Sequence, residues 1–473
     1  MNGGITMGQA QIGVYGLGTM GSALALNMAD NGFQVAVTNR ETDWIKTFVD
    51  EAGPLAKNLT PHDSLTAFVQ GLATPRVILF MIPSGRPMDM MIDSITPLLD
   101  TGDTIIDGGN ANFHDTRRRS AMLAEQDLHF VGMGVSGGES GARSGPSMMV
   151  GGTDHSWTQL KPILQTISAK FEDDPCVDHL GSDGAGHFVK TVHNGIEYAD
   201  MQAIAEIYAL LRDADSWPAA KIGALFTQWN DGPLRSYLVE ISGKVLQATD
   251  PETGTPMVDL IRDKAGQKGT GRWTAIEALI LGQSASTIEA AVGARSWSSE
   301  KTTRTSAQPL LAANTNPTDL PDTDDLQAAL MAARILGHAQ GFRVLQAASD
   351  EYDWSLNMPR IAEIWRAGCI IRSTLLDDLA EAFRDDLPHG ELILAPTIRA
   401  RLDTSIGALR RVVATAISCG IPVPVLSAAL AWFDSIRTAR GSTNLIQAQR
   451  DFFGEHGFQR CDKDGNHHGP WNR

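Results

Sequence analysis

Five polar side chains that could move protons or bind an anion recur at helical spacing in the middle of the chain. They fall at i, i+3, i+4, i+7 and i+8, which places them on one face of a helix. A partly desolvated lysine has a lowered pKa and can act as a base, and a glutamate can exchange protons with it. Histidine, asparagine and tyrosine can orient a substrate. The five residues are Lys190, His193, Asn194, Glu197 and Tyr198.

A solvated polar face is the alternative interpretation, because amphipathic helices of this kind are common. The opposite side of the predicted helix is apolar and carries Phe188, Val189, Val192 and Ile196. The pattern alone does not distinguish a catalytic face from a solvent-facing one, so the surrounding sequence has to be considered.

Length and composition set the limits. The chain has 473 residues, more than one hydrophobic core normally spans, so two or three domains are expected. The formal net charge of -16 argues against nucleic acid as the main ligand, and no apolar run reaches membrane-spanning length. The four cysteines have neither metal nor redox spacing, so we expect no metal site and a reduced, cytoplasmic compartment.

A strand, a glycine turn, a helix and a second strand open the chain. The turn reads Gly-Leu-Gly-Thr-Met-Gly between an apolar strand at 11–15 and a helical pattern at 22–30. In such a turn the first glycine permits a tight bend, the second lets the backbone approach a pyrophosphate, and the third allows close packing of helix on strand. The motif predicts a dinucleotide site whose contacts are Gly16, Leu17, Gly18, Thr19, Met20 and Gly21.

The end of the second strand bears on the choice of cofactor. NAD sites usually place a carboxylate there, whereas this chain has Asn39 and Arg40. Asparagine can donate to a 2′-phosphate and arginine can pair with it, so NADP is favoured. Glu41 follows directly, which keeps NAD possible.

Three more apolar strands, at 76–82, 104–107 and 130–135, end in small or polar loops. Ligands of doubly wound sheets lie at the carboxyl ends of the strands. The pocket candidates at these ends are Asn110, Ser136, Gly137 and Gly138.

Beyond residue 183 the apolar periodicity is helical, with interruptions at 230–256 and 298–325. Similar residues in 217–236 and 354–373 suggest a duplicated helical unit, with chance similarity as the alternative. A glycine loop around Lys268 and Thr270 would suit an oxyanion, or it is a plain solvent loop.

Together these stretches resemble the 6-phosphogluconate dehydrogenase family. The resemblance covers nearly the whole chain and depends on the order and spacing of seven stretches. It implies an α/β Rossmann-like dinucleotide-binding domain (10–183), a large all-α substrate and dimerisation domain (184–440), and a C-terminal tail (441–473) that reaches the partner of a homodimer. The seven stretches are 16–21, 39–40, 107–110, 135–143, 188–202, 265–273 and 444–456.

The resemblance also implies an activity, the oxidative decarboxylation of 6-phospho-D-gluconate to D-ribulose 5-phosphate and CO2 with reduction of NADP. This is a step of the oxidative pentose phosphate pathway and of gluconate utilisation. By matching motif, Lys190 would be the general base and Glu197 the general acid, and Asn110 would lie between cofactor and substrate. The other implied substrate contacts are Ser136, Gly137, Gly138, His193, Asn194, Tyr198, Lys268, Thr270, Arg295 and, from the other subunit, Arg450 and His456.

Two competing functions share part of this pattern. A short β-hydroxyacid dehydrogenase, such as one for hydroxyisobutyrate, shares the glycine turn, the Ser-Gly-Gly loop and the lysine, but would not need Lys268, Arg450 or the long second helical region. A dinucleotide-binding protein without turnover would not need Lys190 and Glu197.

Overall fold

A computed structural model describes residues 9–316, 318–385 and 387–471. The N-terminal part is an eight-stranded sheet in the order β10-β7-β6-β5-β4-β1-β2-β3, and every neighbouring pair is parallel except β6 and β7. β8 and β9 form a separate small hairpin. The strands are β1 (Ile12–Tyr15), β2 (Val35–Thr38), β3 (Leu59–Pro61), β4 (Val77–Phe80), β5 (Thr104–Asp107), β6 (His129–Ser136), β7 (Ser147–Gly151), β8 (Lys170–Phe171), β9 (Asp174–Pro175) and β10 (Val177–Gly181).

Helices cover this sheet because its central strands are apolar on both faces. Along β1, Ile12 and Val14 enter one apolar cluster, whereas Ile78 and Phe80 of β4 enter the other. Parallel strands buried on both sides read as continuous apolar runs, which is why the sequence predicted most of them. The helices of this part are α1 (Thr19–Asp30), α2 (Thr42–Glu51), α3 (Leu65–Gln70), α4 (Arg86–Ile95), α5 (Phe113–Ala124), α6 (Gly138–Ser144) and α7 (Asp154–Ile167).

The sheet ends at Gly181 and a 29-residue helix, α8, begins at Ala185. The predicted boundary between residues 183 and 184 falls between these two elements. The helices that follow are α8 (Ala185–Asp213), α9 (Ala219–Asn230), α10 (Tyr237–Gln247), α11 (Met257–Leu260), α12 (Thr270–Ile280), α13 (Ser286–Ser299), α14 (Lys301–Ala307), α15 (Thr323–Glu351), α16 (Met358–Ile364), α17 (Leu375–Ala382), α18 (Pro396–Cys419) and α19 (Pro424–Ile436).

Two interruptions predicted in the helical part are partly wrong. α10 lies inside 230–256, and α14 lies inside 298–325. Gly243 breaks the apolar pattern of α10, and α14 is too polar to show one. Tertiary contacts stabilise a helix at both places, because intrinsic propensity alone predicts short helices poorly.

The suspected internal repeat has a structural counterpart. Arg235 O accepts from Thr374 N at 3.1 Å, and Arg372 O accepts from Tyr237 N at 3.1 Å. The two matched segments therefore pair symmetrically with each other where they end. α8 and α15 precede the two segments, have 29 residues each, and pack on one another.

A small unit follows at the C-terminus. It consists of α20 (Thr443–Gly454) and a hairpin of β11 (Phe458–Gln459) and β12 (Asn466–His467). Asp451 holds the unit together, because its carboxylate accepts from Gly457 N, Gly469 N and Trp471 Nε1 at 2.6–2.9 Å. Among the described helices, none is both long and apolar enough to span a membrane.

Candidate active site

The first turns of α8 lie directly against β6 and β7. This approach requires glycine on the strand, because a Cβ atom at position 134 would lie 2.3 Å from the Cβ of Lys190. Gly186 on the helix side is equally tight, since a Cβ there would lie 2.5 Å from Met149 O. The glycines thus fix where Lys190 stands relative to the ends of the strands.

Lys190 is buried, with 6 % of its surface exposed. Burial lowers the pKa of its ammonium group, while the neighbouring Glu197 and Cys369 oppose that shift. A lysine in this setting releases its proton more readily than an exposed one, as a general base must. The solvated polar face considered from the sequence is therefore wrong for Lys190, His193, Asn194 and Tyr198, which are all buried.

His193 is fully buried and connects three of the predicted site residues. Its Nε2 lies 3.2 Å from Ser136 Oγ, its Nδ1 lies 3.0 Å from Asn194 Oδ1, and the same Nδ1 lies 3.3 Å from Lys190 Nζ. Burial holds the pKa of His193 well below its ordinary value, and Lys190 lowers it further. A neutral ring that donates from Nδ1 to Asn194 offers no lone pair there to an ammonium, which favours the uncharged Lys190.

Glu197 lies one helical turn beyond His193, with its Oε2 3.9 Å from His193 Nδ1. Burial raises the pKa of Glu197, against the lowering effects of Lys190 and Arg295. Its side chain is still 21 % exposed. A carboxyl group that is partly accessible and holds its proton more tightly than usual can serve as an acid.

Two helices from later in the chain meet this face. Asn194 Nδ2 donates to Thr270 Oγ1 at 3.1 Å, at the N-terminus of α12. The Arg295 guanidinium from α13 lies over the Tyr198 ring at 3.4 Å and donates to Gly266 O at 3.2 Å. The loop before α12 is thereby tied to the Lys190 face.

The glycine turn fits a dinucleotide. Gly16 has φ +101°, and a Cβ at position 21 would lie 1.8 Å from Gly16 O, so both positions require glycine. A Cβ at Gly18 would meet nothing within 4 Å, which leaves room for a pyrophosphate at the N-terminus of α1. The cradle predicted at 16–21 therefore has the shape that the cofactor needs.

At the end of β2, Asn39 Oδ1 accepts from Leu17 N at 3.0 Å and so fixes the glycine turn. Glu41 forms an ion pair with Arg40 and accepts from Asn39 Nδ2 at 3.1 Å. The Arg40 side chain is 84 % exposed. A 2′-phosphate that binds Arg40 would compete with Glu41 for it.

The loop that carries Asn110 rests on a buried ion pair that sequence reasoning missed. Asp107 Oδ1 accepts from Gly109 N at 3.0 Å, and its Oδ2 lies 3.3 Å from Arg119 Nη1. Both side chains are at most 1 % exposed. Asn110 itself is exposed at the end of this loop.

Gly134 and the Asp107–Arg119 pair are the main omissions. A glycine inside a strand pattern signals a close backbone approach, so Gly134 left a usable signal in the sequence. The partner of Asp107 left none, because Arg119 lies among charged residues on an ordinary helix.

Three predicted contacts lie outside this cluster. Lys268, Arg450 and His456 are all exposed. Arg450 donates to Gln447 Oε1 at 3.2 Å, and the His456 ring meets Phe453 at 5.9 Å, so both stay within the C-terminal unit. Across the residues that the structure describes, no group of three or more His, Cys, Asp or Glu side chains could hold a metal ion.

Two family models match nearly the whole chain. The NAD binding domain of 6-phosphogluconate dehydrogenase matches residues 11–181, and the C-terminal domain of 6-phosphogluconate dehydrogenase matches residues 186–471. The chain belongs to the 6-phosphogluconate dehydrogenase family. This confirms the resemblance and the fold class that the sequence predicted.

Members of the 6-phosphogluconate dehydrogenase family resemble the chain over their full length. The NADP-dependent decarboxylating enzyme of Bacillus subtilis is 45 % identical, with 98 % of this chain and 100 % of that protein covered. The NAD-dependent enzyme of the same organism is 44 % identical, with 97 % and 99 % covered. Plasmodium falciparum 6-phosphogluconate dehydrogenase, described in its apo form and with NADP+ and 6-phosphogluconate, superposes with a TM-score of 0.94 at 37 % identity, with 98 % and 100 % covered.

Proposed function

We propose that this chain catalyses the oxidative decarboxylation of 6-phospho-D-gluconate to D-ribulose 5-phosphate and CO2 with reduction of NADP. The observation that carries the proposal is the buried face of α8, where Lys190 and Glu197 flank His193 and their pKa values are shifted toward neutrality. Full-length similarity to decarboxylating enzymes supports it.

Lys190 performs the first proton transfer. A bound nicotinamide supplies the hydride acceptor. Neutral Lys190 removes the proton from the C3 hydroxyl of the substrate as the C3 hydride departs, and His193, itself bonded to Ser136, holds the amine in place. General-base assistance of this kind contributes roughly 10²–10⁴-fold to the rate.

The resulting β-keto acid needs only an electron sink to lose CO2. Protonated Lys190 beside the new carbonyl oxygen supplies it, because a cation there stabilises the developing enolate. Lys190 gives its proton to the C3 oxygen as CO2 leaves, which forms the enediol. Glu197 then protonates the former C2, which is C1 of ribulose 5-phosphate, while Lys190 takes the proton back from the neighbouring enediol hydroxyl and leaves the ketone. The raised pKa of Glu197 suits this acid role.

The remaining residues bind the substrate ends. Asn194 and Thr270 already form one hydrogen-bonded pair, and Arg295 brings a cation to Tyr198. In an acidic protein, Arg295 and Lys268 provide the local positive charge that a phosphate and a carboxylate need. The proposed contacts are Asn110, Ser136, Gly137, Gly138, His193, Asn194, Tyr198, Lys268, Thr270 and Arg295, together with the partner's copies of Arg450 and His456.

Turnover assays test the activity directly. The chain should reduce NADP and release CO2 with 6-phosphogluconate, and it should be inactive with unphosphorylated β-hydroxyacids. Turnover of hydroxyisobutyrate alone would favour the short β-hydroxyacid dehydrogenase class. Dinucleotide binding without CO2 release would favour a binding protein.

Cofactor preference depends on Asn39, Arg40 and Glu41. Because Glu41 pairs with both neighbours, Glu41→Thr should raise the ratio of kcat/KM for NADP over NAD by up to about fivefold. Asp43→Thr on the following helix is the matched control. An unchanged ratio would show that Glu41 does not weaken the 2′-phosphate contact.

The C-terminal unit completes the site of the partner in a homodimer. It exposes Leu445 (63 %), Ile446 (55 %) and Phe453 (71 %), an apolar surface that a second copy would bury. Its cation Arg450 is exposed as well. We assign the dimer to the cytoplasm, where four free cysteines are stable.

Mixed dimers test this exchange. Alone, the Lys190→Ala chain should be inactive and the Arg450→Ala chain impaired. In a mixed dimer, one site combines the intact Lys190 of one chain with the intact Arg450 of the other. Half of the dimers in a statistical mixture are mixed, so the mixture should regain about a quarter of the wild-type activity. A tail that acts within its own chain would give no recovery.

A further inference from the structure

A small enclosed cavity lies where α8 crosses α15, behind the Lys190 face. Its volume is about 10 Å³, and its polar lining residues are Asp200 of α8 with Arg334 and His338 of α15. The rest of the lining is glycine, alanine and isoleucine. A space of this size admits the centre of one water molecule, and a buried water needs polar partners such as these.

The polar residues around the cavity are buried and under-satisfied. Asp200 and Arg334 form an ion pair at 2.9 Å, with both side chains 1 % exposed. That contact joins Arg334 Nε to Asp200 Oδ1, whereas within the described residues Asp200 Oδ2 and Arg334 Nη2 lack a hydrogen-bond partner. Leaving buried charged groups without hydrogen bonds is costly, so a missing partner is expected at this place.

His338 supplies the complementary acceptor. Its Nδ1 lies 2.8 Å from Arg334 O, which can only accept, so Nδ1 carries the hydrogen. Burial lowers the pKa of His338 to about 4, so the ring is neutral and Nε2 has a free lone pair. Within the described residues Nε2 has no hydrogen-bond partner.

One water molecule can bond one Asp200 oxygen, Arg334 Nη2 and His338 Nε2. It can donate one hydrogen to His338 Nε2 and one to an Asp200 oxygen, and it can accept from Arg334 Nη2. We propose that the cavity binds this water, and that the network of Asp200, Arg334, His338 and water is a positioning element for Glu197. The second part rests on the proposed function, in which Glu197 is the acid.

The connection to the catalytic face is short. Asp200 follows Glu197 by three residues on α8, so the two side chains are neighbours, and Asp200 acts to raise the pKa of Glu197. The other charged groups that face Glu197 are Lys190 on the same helix and Arg295 on α13. His338 similarly adds to the lowering of the pKa of His193. The network thus contributes to the charge environment of the acid.

A high-resolution crystal structure of the full chain tests the water. Density for one ordered water within hydrogen-bond distance of Asp200, Arg334 and His338 is the expected result. A dry cavity, or direct contacts that close it, would overturn the inference even if turnover of 6-phosphogluconate is normal. A wild-type chain without turnover would overturn the proposed function instead, and the density would still decide whether the water site exists.

Kinetics test the positioning role. Asp200→Asn removes a charge that raises the pKa of Glu197, so the basic limb of the kcat–pH profile should move to lower pH by about half a unit or more. We expect kcat to fall about tenfold with KM nearly unchanged, since general acids contribute 10²–10⁴-fold and only part is lost. An unshifted profile would contradict the role.

Three further variants, two at His338 and one at Glu206, separate the proposed role from misfolding and non-specific damage. His338→Leu removes the acceptor without leaving a buried charge unpaired and should lower kcat, whereas His338→Gln restores an acceptor and should recover most of it. Glu206→Gln is the matched control, because Glu206 is an equally buried carboxylate on α8 that caps α19 through Val425 N and Leu426 N at 2.9 Å. It should change the melting temperature without moving the basic limb. Equal limb shifts in Glu206→Gln and Asp200→Asn would overturn the proposal.

Discussion

α8 and α15 have the same length and are both largely buried, yet only one of them carries the candidate chemistry. Aligned end to end, the five polar residues of the α8 face correspond to apolar residues on α15. The corresponding pairs are Lys190 and Ala328, His193 and Met331, Asn194 and Ala332, Glu197 and Ile335, and Tyr198 and Leu336.

The surroundings of the two helices explain the difference. α8 packs on β6 and β7, so Ser136 at a strand end can bond His193. α15 packs mainly on α18 and α8, inside the helical part. Buried polar side chains need partners, and for this face of α8 the strand end and α12 supply them through Ser136 and Thr270. A duplicated scaffold can therefore support one site while its second copy supports packing.

The largest difference between the two helices is expected at Lys190. Lys190→Ala should lower kcat by more than about 10⁴-fold, because the amine acts in two steps, while the dissociation constant for NADP stays nearly constant. Steady-state kinetics and cofactor titration measure the two. The control is Lys221→Ala, a surface lysine stacked on Trp217 at 3.3 Å. Substantial residual turnover would remove Lys190 from the base role.

Glu197→Gln should lower kcat by about 10²-fold, since the proton for C1 must then come from water. In the wild-type chain the acidic limb of the pH profile reports Lys190, whose pKa is lowered, and the basic limb reports Glu197, whose pKa is raised. Activity should thus rise as Lys190 loses its proton and fall as Glu197 loses its own. The variant should lose the basic limb and keep the acidic limb nearly in place, because in this assignment Glu197 is already protonated and uncharged where Lys190 titrates. A retained basic limb would assign the acid elsewhere.

A pair of glycine substitutions sharpens the comparison. Gly134→Ala puts a methyl group against the Lys190 stem and should cost about 1–3 kcal/mol of unfolding free energy together with most of the activity. Gly341→Ala on α15 meets Ile196 Cδ1 at 2.5 Å and Cγ1 at 2.6 Å, so it should cost a similar amount, about 1–3 kcal/mol, but without loss of kcat. Thermal unfolding and kinetics on both variants measure this. Equal activities would show that the close approach at Gly134 does not place Lys190.

The smallest effect is expected at Met331, the α15 counterpart of His193. Met331→Leu conserves volume and should cost less than about 1.5 kcal/mol, with kcat unchanged. The matched change His193→Leu should impair turnover severely. A large kinetic effect of Met331→Leu would mean that the apolar face of α15 takes part in the chemistry.

The sequence by itself determined the glycine turn, the order of the main strands and the shared face of Lys190, His193, Asn194, Glu197 and Tyr198. Each of these follows from local spacing, because a helix or strand has a fixed period and a phosphate turn needs glycine at fixed positions.

The tertiary structure decided that this face is buried, that Gly134 makes room for Lys190, and that Asp107 meets Arg119 and Asp200 meets Arg334. These facts join residues that are distant in the chain or on elements with no signal of their own. The pKa of a buried group depends on what surrounds it in space, so spacing along a single helix cannot specify it.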